Sequence, residues 1–317
     1  MVIRKALVGV IVITLAASAC RPDLPLTLSR VTGPRLLAVR AEPAEVAPGS
    51  RSALRALWVD ERGSRMDAGI QWWFCNERKP LRELGPVSPR CAGGDADLQP
   101  IGVGLDVNAA VPPDACRLFG PDAPESTAEE PAGRPVDADP TGGYYQPIRL
   151  GTGEVPAVDR LRLVCGLAGA TLEQLVSYRT RYRVNVNPAI ASLHVIDGPE
   201  LVPLERGANR ARRGERLALR TAWPTCGDAG CTGAERYVAL DPVTRSLADR
   251  REAIRVSWFA TDGDFGDDRT GREEGDGATT SDNVWTAPAQ SATVTMWLVL
   301  RDSRGGAGWS TYVVTVE

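Results

Sequence analysis

The chain has one histidine, His194, two lysines, Lys5 and Lys79, and three methionines among its 317 residues. A single His excludes His-rich metal centres and removes most routes to His-assisted nucleophilic catalysis. His194 itself lies in the alternating run Ser192–Ile196, the setting of a structural strand residue. No HExxH, GxSxG, P-loop or GxGxxG pattern occurs. Neither charge sign dominates: 37 basic residues face 40 acidic ones for a net charge of −3, so no electrostatic feature invites nucleic acid. Long apolar runs are also missing. The most apolar stretch, Ala6–Leu15, is too short to span a bilayer. The near absence of lysine makes almost every basic residue an Arg, the mark of a GC-rich genome. What is present is an ordinary soluble composition, 43% hydrophobic and 24% charged, with length enough for two domains. The expectation is a non-enzymatic chain.

Seven cysteines are an odd number, and the N-terminus accounts for the odd one. Arg4 and Lys5 form a basic n-region, the apolar run follows, and small residues Ala16–Ala19 precede Cys20. Ala17-Ser18-Ala19-Cys20 resembles the bacterial lipobox. That resemblance implies cleavage of a signal peptide over residues 1–19, lipidation of Cys20 by diacylglyceryl and fatty-acyl (palmitate-type) chains, and retention on a membrane through the lipid. Arg21, in place of the Asp that holds Gram-negative lipoproteins at the inner membrane, implies the outer membrane, with the protein periplasmic or surface-facing. Loss of residues 1–19 leaves 298 residues and removes Arg4 and Lys5, which takes the charge to −5. Residues 20–34, with Pro22, Pro25 and Pro34, read as a lipidated tether. The remaining Cys75, Cys91, Cys116, Cys165, Cys226 and Cys231 are an even set in an exported chain and read as disulfides. The expected pairs are Cys226 with Cys231 across a short Gly-rich loop, Cys91 with Cys116 across an insertion, and Cys75 with Cys165 between strands.

Strand signals dominate the rest. Leu36–Arg40, Ala53–Val59 and Ile70–Cys75 are β-rich and separated by turn residues. GSRSALRALW at 49–58 matches GERLALRTAW at 214–223 at Gly, Arg, Ala, Leu, Arg and Trp without a gap. Each copy is preceded by a short strand and followed by a strand with a Trp-Phe pair, Trp73-Phe74 or Trp258-Phe259, so the chain is read as an internal repeat. The expected division is a first domain over 35–188, carrying a Pro/Gly-rich loop insertion over 77–143, and a second over 189–317. Arg179–Asn187 alternates as a half-buried strand ending at Pro188. Thr171–Gln174 fits a capping box for a short helix whose Leu172, Leu175 and Val176 share a face. Asp302–Gly306 marks a hairpin between the last two strands.

Two candidate sites come from composition. Asp262, Asp264, Asp267 and Asp268 are spaced as loop carboxylates of the kind that hold a calcium ion, the one cofactor the sequence suggests. The EF-hand order fails at Gly266, and a solvated hairpin is the competing reading. Among the aromatics, Trp58, Trp72 or Trp73, Trp223 and Trp258 sit at equivalent strand positions as core, whereas Tyr144, Tyr145 and Trp285 fall in loop or edge contexts suited to stacking on a glycan.

The segments WFATDG at 258–263, VWTAP at 284–288 and VLRDSRGGAGW with YVVTV at the C-terminus resemble bacterial immunoglobulin-like domains of the PKD or cadherin-like kind, and the whole resembles cell-surface lipoproteins of high-GC Gram-negative bacteria. The resemblance implies an all-β fold of two tandem immunoglobulin-like β-sandwiches after a lipoprotein signal peptide. It also implies a structural, adhesive or assembly role against an unknown envelope protein or glycan; a glycan-binding accessory lipoprotein is the alternative.

Overall fold

Arg51–Asp60 alternates, and the alternation decides which side chains go inward: Leu54, Ala56 and Trp58 enter one core while Leu57 and Val59 point the other way into a second. In the computed structural model, the described residues are 28–66, 69–78, 87–121, 139, 141–152, 156–167, 169–227, 230–241 and 243–317. The first sandwich contains β1 (Arg35–Glu42), β2 (Glu45–Val46), β3 (Arg51–Asp60), β4 (Gly63–Ser64), β5 (Gln71–Cys75), β6 (Leu98–Val103), β7 (Asp106–Ala110), β8 (Tyr144–Gly151) and β9 (Ala157–Leu163). β3 pairs with β1 along one edge and with β4 and β7 along the other; the facing sheet runs β2-β9-β8-β5-β6.

The second sandwich contains β10 (Ser192–Asp197), β11 (Glu200–Pro203), β12 (Ala208–Ala211), β13 (Arg216–Ala222), β14 (Arg236–Leu240), β15 (Leu247–Arg251), β16 (Ile254–Ala260), β17 (Asp264–Phe265), β18 (Arg269–Arg272), β19 (Thr280–Thr286), β20 (Ala292–Asp302) and β21 (Ala307–Val316). Its sheets run β11-β10-β13-β19-β17 and β12-β21-β20-β16-β18, with β14 and β15 as a separate hairpin.

The repeat read from ten residues extends through both topologies. β1-β3-β7 corresponds to β10-β13-β19, and β9-β8-β5 to β21-β20-β16. A short strand early in each copy crosses to the other sheet and pairs parallel with the last strand, β2 with β9 and β12 with β21. Two antiparallel sheets with this order and this strand exchange are the immunoglobulin-like sandwich. The matched Arg55 and Arg220 each meet an Asp directly across the ladder, Asp106 on β7 and Asp282 on β19. The matched Gly49 and Gly214 both take positive φ, +77° and +69°, at the turn entering the strand, which is why glycine recurs there. One equivalence shifts. Trp72 and Trp258 are the buried members, so Trp72-Trp73, rather than Trp73-Phe74, corresponds to Trp258-Phe259.

Four expectations need correction. The stretch 77–143 is not wholly a loop insertion: β6 and β7 lie within it as sandwich strands, with a 3-10 turn at Pro89–Ala92 and helix α1 (Ala115–Phe119). Those two strands, one in each sheet, redirect the cysteines. Because β6 folds back on β5, Cys91 reaches Cys75, and because α1 follows β7, Cys116 reaches Cys165 just past β9; only Cys226–Cys231 pairs as expected. Arg179–Asn187 is not a strand. Helix α2 (Leu172–Arg181), capped by Thr171 with the reciprocal Gln174 bonds, runs into it, and the chain beyond is extended without joining a sheet. Its sidedness is the inverse of a strand that buries its apolar face, since Asn185 and Asn187 are buried and Val184 is 49% exposed. Finally, α2 does not bury the face it was given: Leu172 is 78% exposed and Val176 is largely exposed. With so little packing, α2 depends on its cap. Thr171→Ala should cost about 1 kcal/mol locally and appear as faster hydrogen exchange in α2 with the sandwich amides unchanged.

The two sandwiches pack face to face. Leu37 and Ala38 point outward together at a β-bulge in β1, and with Leu57, Val59 and Val31 they bury Trp297 and Val299 from the outer face of β20. Trp297 Nε1 donates to Ser64 Oγ at 2.9 Å, and Arg301 donates to the Leu37 carbonyl. The result is four stacked sheets with three apolar layers between them. Residues 28–34, read as tether, partly belong to this body: Val31 N and Ser29 O bond to Ala260 at 2.9 Å each, and both residues are buried on the second sandwich.

Candidate functional site at the junction of the sandwiches

The hairpin between β20 and β21 presents Arg304. Asp302 Oδ1 accepts from the backbone N–H of Arg304 at 2.8 Å and of Gly306 at 2.9 Å, closing the turn. A Cβ at Gly306 would stand 2.1 Å from Asp302 Oδ2, so the turn admits only glycine there. The turn sends Arg304, fully buried, between the two sandwiches. Nη2 donates to Glu45 Oε2 at 3.1 Å, to Tyr182 Oη at 3.4 Å and to the Arg183 carbonyl, while Nη1 donates to Glu252 Oε1 at 3.4 Å. The guanidinium lies 4.8 Å from the Tyr237 ring centre and 5.6 Å from that of Tyr182.

Glu45, on β2 of the first sandwich, is the shared acceptor. It also accepts from the Tyr182 hydroxyl, from Asn185 N at 3.0 Å, and lies 3.5 Å from Arg162 Nε on β9. Arg162 Nη1 continues the network to Thr141 Oγ1 at 2.8 Å and Tyr145 Oη at 2.9 Å. The extended segment after α2 threads the junction as a strap. Val186 N donates to Glu235, and Asn187 accepts from Ala307 N of the second sandwich and donates to the Ala41 carbonyl and to Glu42 Oε2 at 3.2 Å on the first. Its inverted sidedness follows: the strap lies against a polar seam, so its Asn residues face in.

Burial sets the protonation of these groups. Glu252 has its pKa pushed up to about 9 by burial and then by Asp302, and burial also raises Asp302 and Glu235. Burial alone would lower Arg162 and Arg304; for Arg162, Tyr145 and Glu45 override it, and for Arg304, Tyr182 and Glu45 do, so both rise above their ordinary value. Cations with no exposed surface, each held by several fixed acceptors, bind and lock rather than react.

The residues expected from sequence are distributed elsewhere. Cys20 and the signal segment lie outside the described residues. The acidic loop does not gather as a calcium site: Arg30 takes Asp262 at 3.0 Å and Asp264 at 3.5 Å, Asp268 accepts from Ser29 N, and Asn283 holds the backbone of Asp267. Among the described residues no three His, Cys, Asp or Glu side chains converge as metal ligands. Those acids receive the incoming N-terminal segment. The glycan candidates are committed to packing, and of the three Trp285 is fully buried while Tyr144 and Tyr145 are half-buried. Trp285 is 0% exposed inside the second core with Nε1 on the Asp262 carbonyl, Tyr144 packs against the first core, and Tyr145 joins the junction through Arg162 and the Arg304 carbonyl. His194 lies on β10 opposite Arg220 and Pro203. The junction was missed because an Arg inside Asp-Ser-Arg-Gly-Gly looks solvent-facing, and its partners are scattered over 259 positions of sequence.

The three disulfides belong to an oxidising, extracytoplasmic setting, and among the described residues no helix is long and apolar enough to cross a membrane. No protein-family model matches the chain, and no curated protein matches it. Among solved structures it is similar to dimeric latent PorU from Porphyromonas gingivalis, at 13% identity and a TM-score of 0.22, over 91% of this chain and 24% of that one. It is similar also to the N-terminal Ig1-2 module of the Drosophila receptor protein tyrosine phosphatase DLAR, at 8% identity and a TM-score of 0.21, over 90% and 99% of the two chains. A third is the Yersinia pseudotuberculosis adhesin InvE, at 9% identity and a TM-score of 0.21, over 87% and 58%. The immunoglobulin-like assignment rests on strand order, and these likenesses add nothing about role.

Proposed function

We propose that this is a non-enzymatic envelope protein, anchored to the outer membrane through lipid on Cys20, whose two immunoglobulin-like sandwiches act as one rigid structural, adhesive or assembly module. The observation that carries the reading is the junction. An apolar layer around Trp297 and a buried Arg304–Glu45 latch fuse the two domains, where flexibly linked domains would leave those faces wet. The docking of Ser29 and Val31 on the second sandwich supports it further, because the chain from Cys20 then reaches the folded body after few residues. Two buried acyl chains would make release from the bilayer slow. The test is metabolic palmitate labelling with envelope fractionation of the wild type and Cys20→Ala. Label and outer-membrane recovery should be present in the first and absent in the second. A wild type that is unlabelled and recovered as soluble periplasmic protein would overturn the anchored reading.

A further inference from the structure

Where the β1-β3-β7 sheet emerges from beneath the second sandwich, a cavity of about 380 Å³ opens between the domains, lined by Arg40, Glu42, Ala53, Arg55, Asp106 and Trp309. Its volume is in the range of small-ligand sites. Arg40 and Arg55 stand directly opposite each other across the β1–β3 ladder, an unfavourable like-charge pair that each relieves with its own acid. Arg40 Nη2 meets Glu42 Oε2 at 2.9 Å, and Arg55 Nε meets Asp106 Oδ1 at 2.5 Å. Both pairs are single contacts, so among the described residues most of the N–H groups of the two guanidiniums have no protein acceptor.

The repeat supplies a control. At the matched position of the second sandwich, Arg220 closes on Asp282 with two bonds, 2.7 and 2.6 Å, and His194 stands where β1 has Arg40. Only the first copy keeps its pair open, adds a second Arg–carboxylate pair, and gains an aromatic wall, Trp309, from the neighbouring domain. Two cations and two anions cancel, so the groove selects neither a cation nor an anion. Adjacent donors and acceptors beside an aromatic side chain suit the vicinal hydroxyls and apolar ring face of a sugar.

We propose that this interdomain groove binds a neutral sugar unit, with its ring face on Trp309 and its hydroxyls on the Arg55–Asp106 and Arg40–Glu42 pairs. The proposal goes beyond the module reading and stands whether or not Cys20 is lipidated. It is tested by isothermal titration of the full, detergent-solubilised chain with gluco-, galacto- and manno-configured neutral hexasaccharides and with polygalacturonate. Saturable binding of a neutral oligomer is expected. Arg55→Met should weaken it about tenfold or more through loss of a charge-assisted hydrogen bond, and Arg220→Met should leave it unchanged. Ala53→Leu, which fills the groove while leaving Trp309 and the junction intact, should abolish it. Failure of every neutral oligomer to bind, preference for the uronate polymer, or binding indifferent to Ala53→Leu and Arg55→Met would each overturn the proposal.

Discussion

Arg304→Ala is expected to destabilise the protein by about 3–5 kcal/mol, the range for removing one partner of a buried ion pair and stranding the other. The substitution removes the donor that Glu45 and Glu252 share and empties the space between Tyr182 and Tyr237. Replacement by Met separates the two contributions, since it keeps most of the volume and loses the charge. Arg304→Met should therefore recover part of the loss. The latch joins β2 of one sandwich to the last hairpin of the other, so its loss should also uncouple them. Equilibrium urea unfolding monitored by tryptophan fluorescence should show a single transition for the wild type and two for Arg304→Ala. A single transition in the variant, shifted by less than about 1 kcal/mol, would mean that the apolar layer around Trp297 holds the domains without the latch.

The contrast between that apolar layer and the latch shows which kinds of contact are legible in sequence. The sandwich fold is legible because it is local. β-rich runs such as Ala53–Val59 and Val294–Leu300 mark strands, and the gapless match of 49–58 with 214–223 marks a repeat whose Arg–Asp cross-strand pair then recurs in both ladders. The capping box of α2 is legible for the same reason, as its bonds span three residues. The strands β6 and β7 were hidden because LQPIGVGLDVNAA carries a Pro and two Gly within a stretch dominated by loop residues, and with them went the disulfide pairing, which depends on β6 folding back on β5. The junction was beyond reach for a stronger reason. Sequence gives the faces of each strand but not which outer face another domain will cover, so Leu57, Val59 and Trp297 look like surplus apolar residues on solvent faces. Glu45, Arg162 and Glu252 look like ordinary surface charges. The same blindness placed Trp285 at an edge, when packing puts it at the centre of the second core.

The junction acids give the stability an unusual pH dependence. Glu252 faces Arg304, Asp302 and Glu235, and in the folded state it holds its proton up to about pH 9, against 4.5 ordinarily. Through that window unfolding releases a proton, because the unfolded chain ionises first. Stability therefore falls as pH rises from about 4.5 to 9, by up to about 1.4 kcal/mol per pH unit for this one group, and levels off above the folded value. Asp302 and Glu235, also raised by burial, add in the same direction. The opposing contribution comes from acids held low, such as Asp282 through its bonds from Arg220; these favour the folded state above the ordinary carboxylate range and lose that contribution as pH falls. The two trends place maximum stability in mildly acidic solution. Urea midpoints measured at pH 5, 6, 7, 8 and 9 should decrease along the series. Glu252→Gln, which cannot ionise and keeps the acceptor oxygen for Glu235 N, should flatten the decline and exceed the wild type in stability at pH 8 while matching it near pH 5. Wild-type midpoints that stay level or climb between pH 5 and 9 would show that Glu252 ionises in place and that Arg304 carries enough charge to hold it.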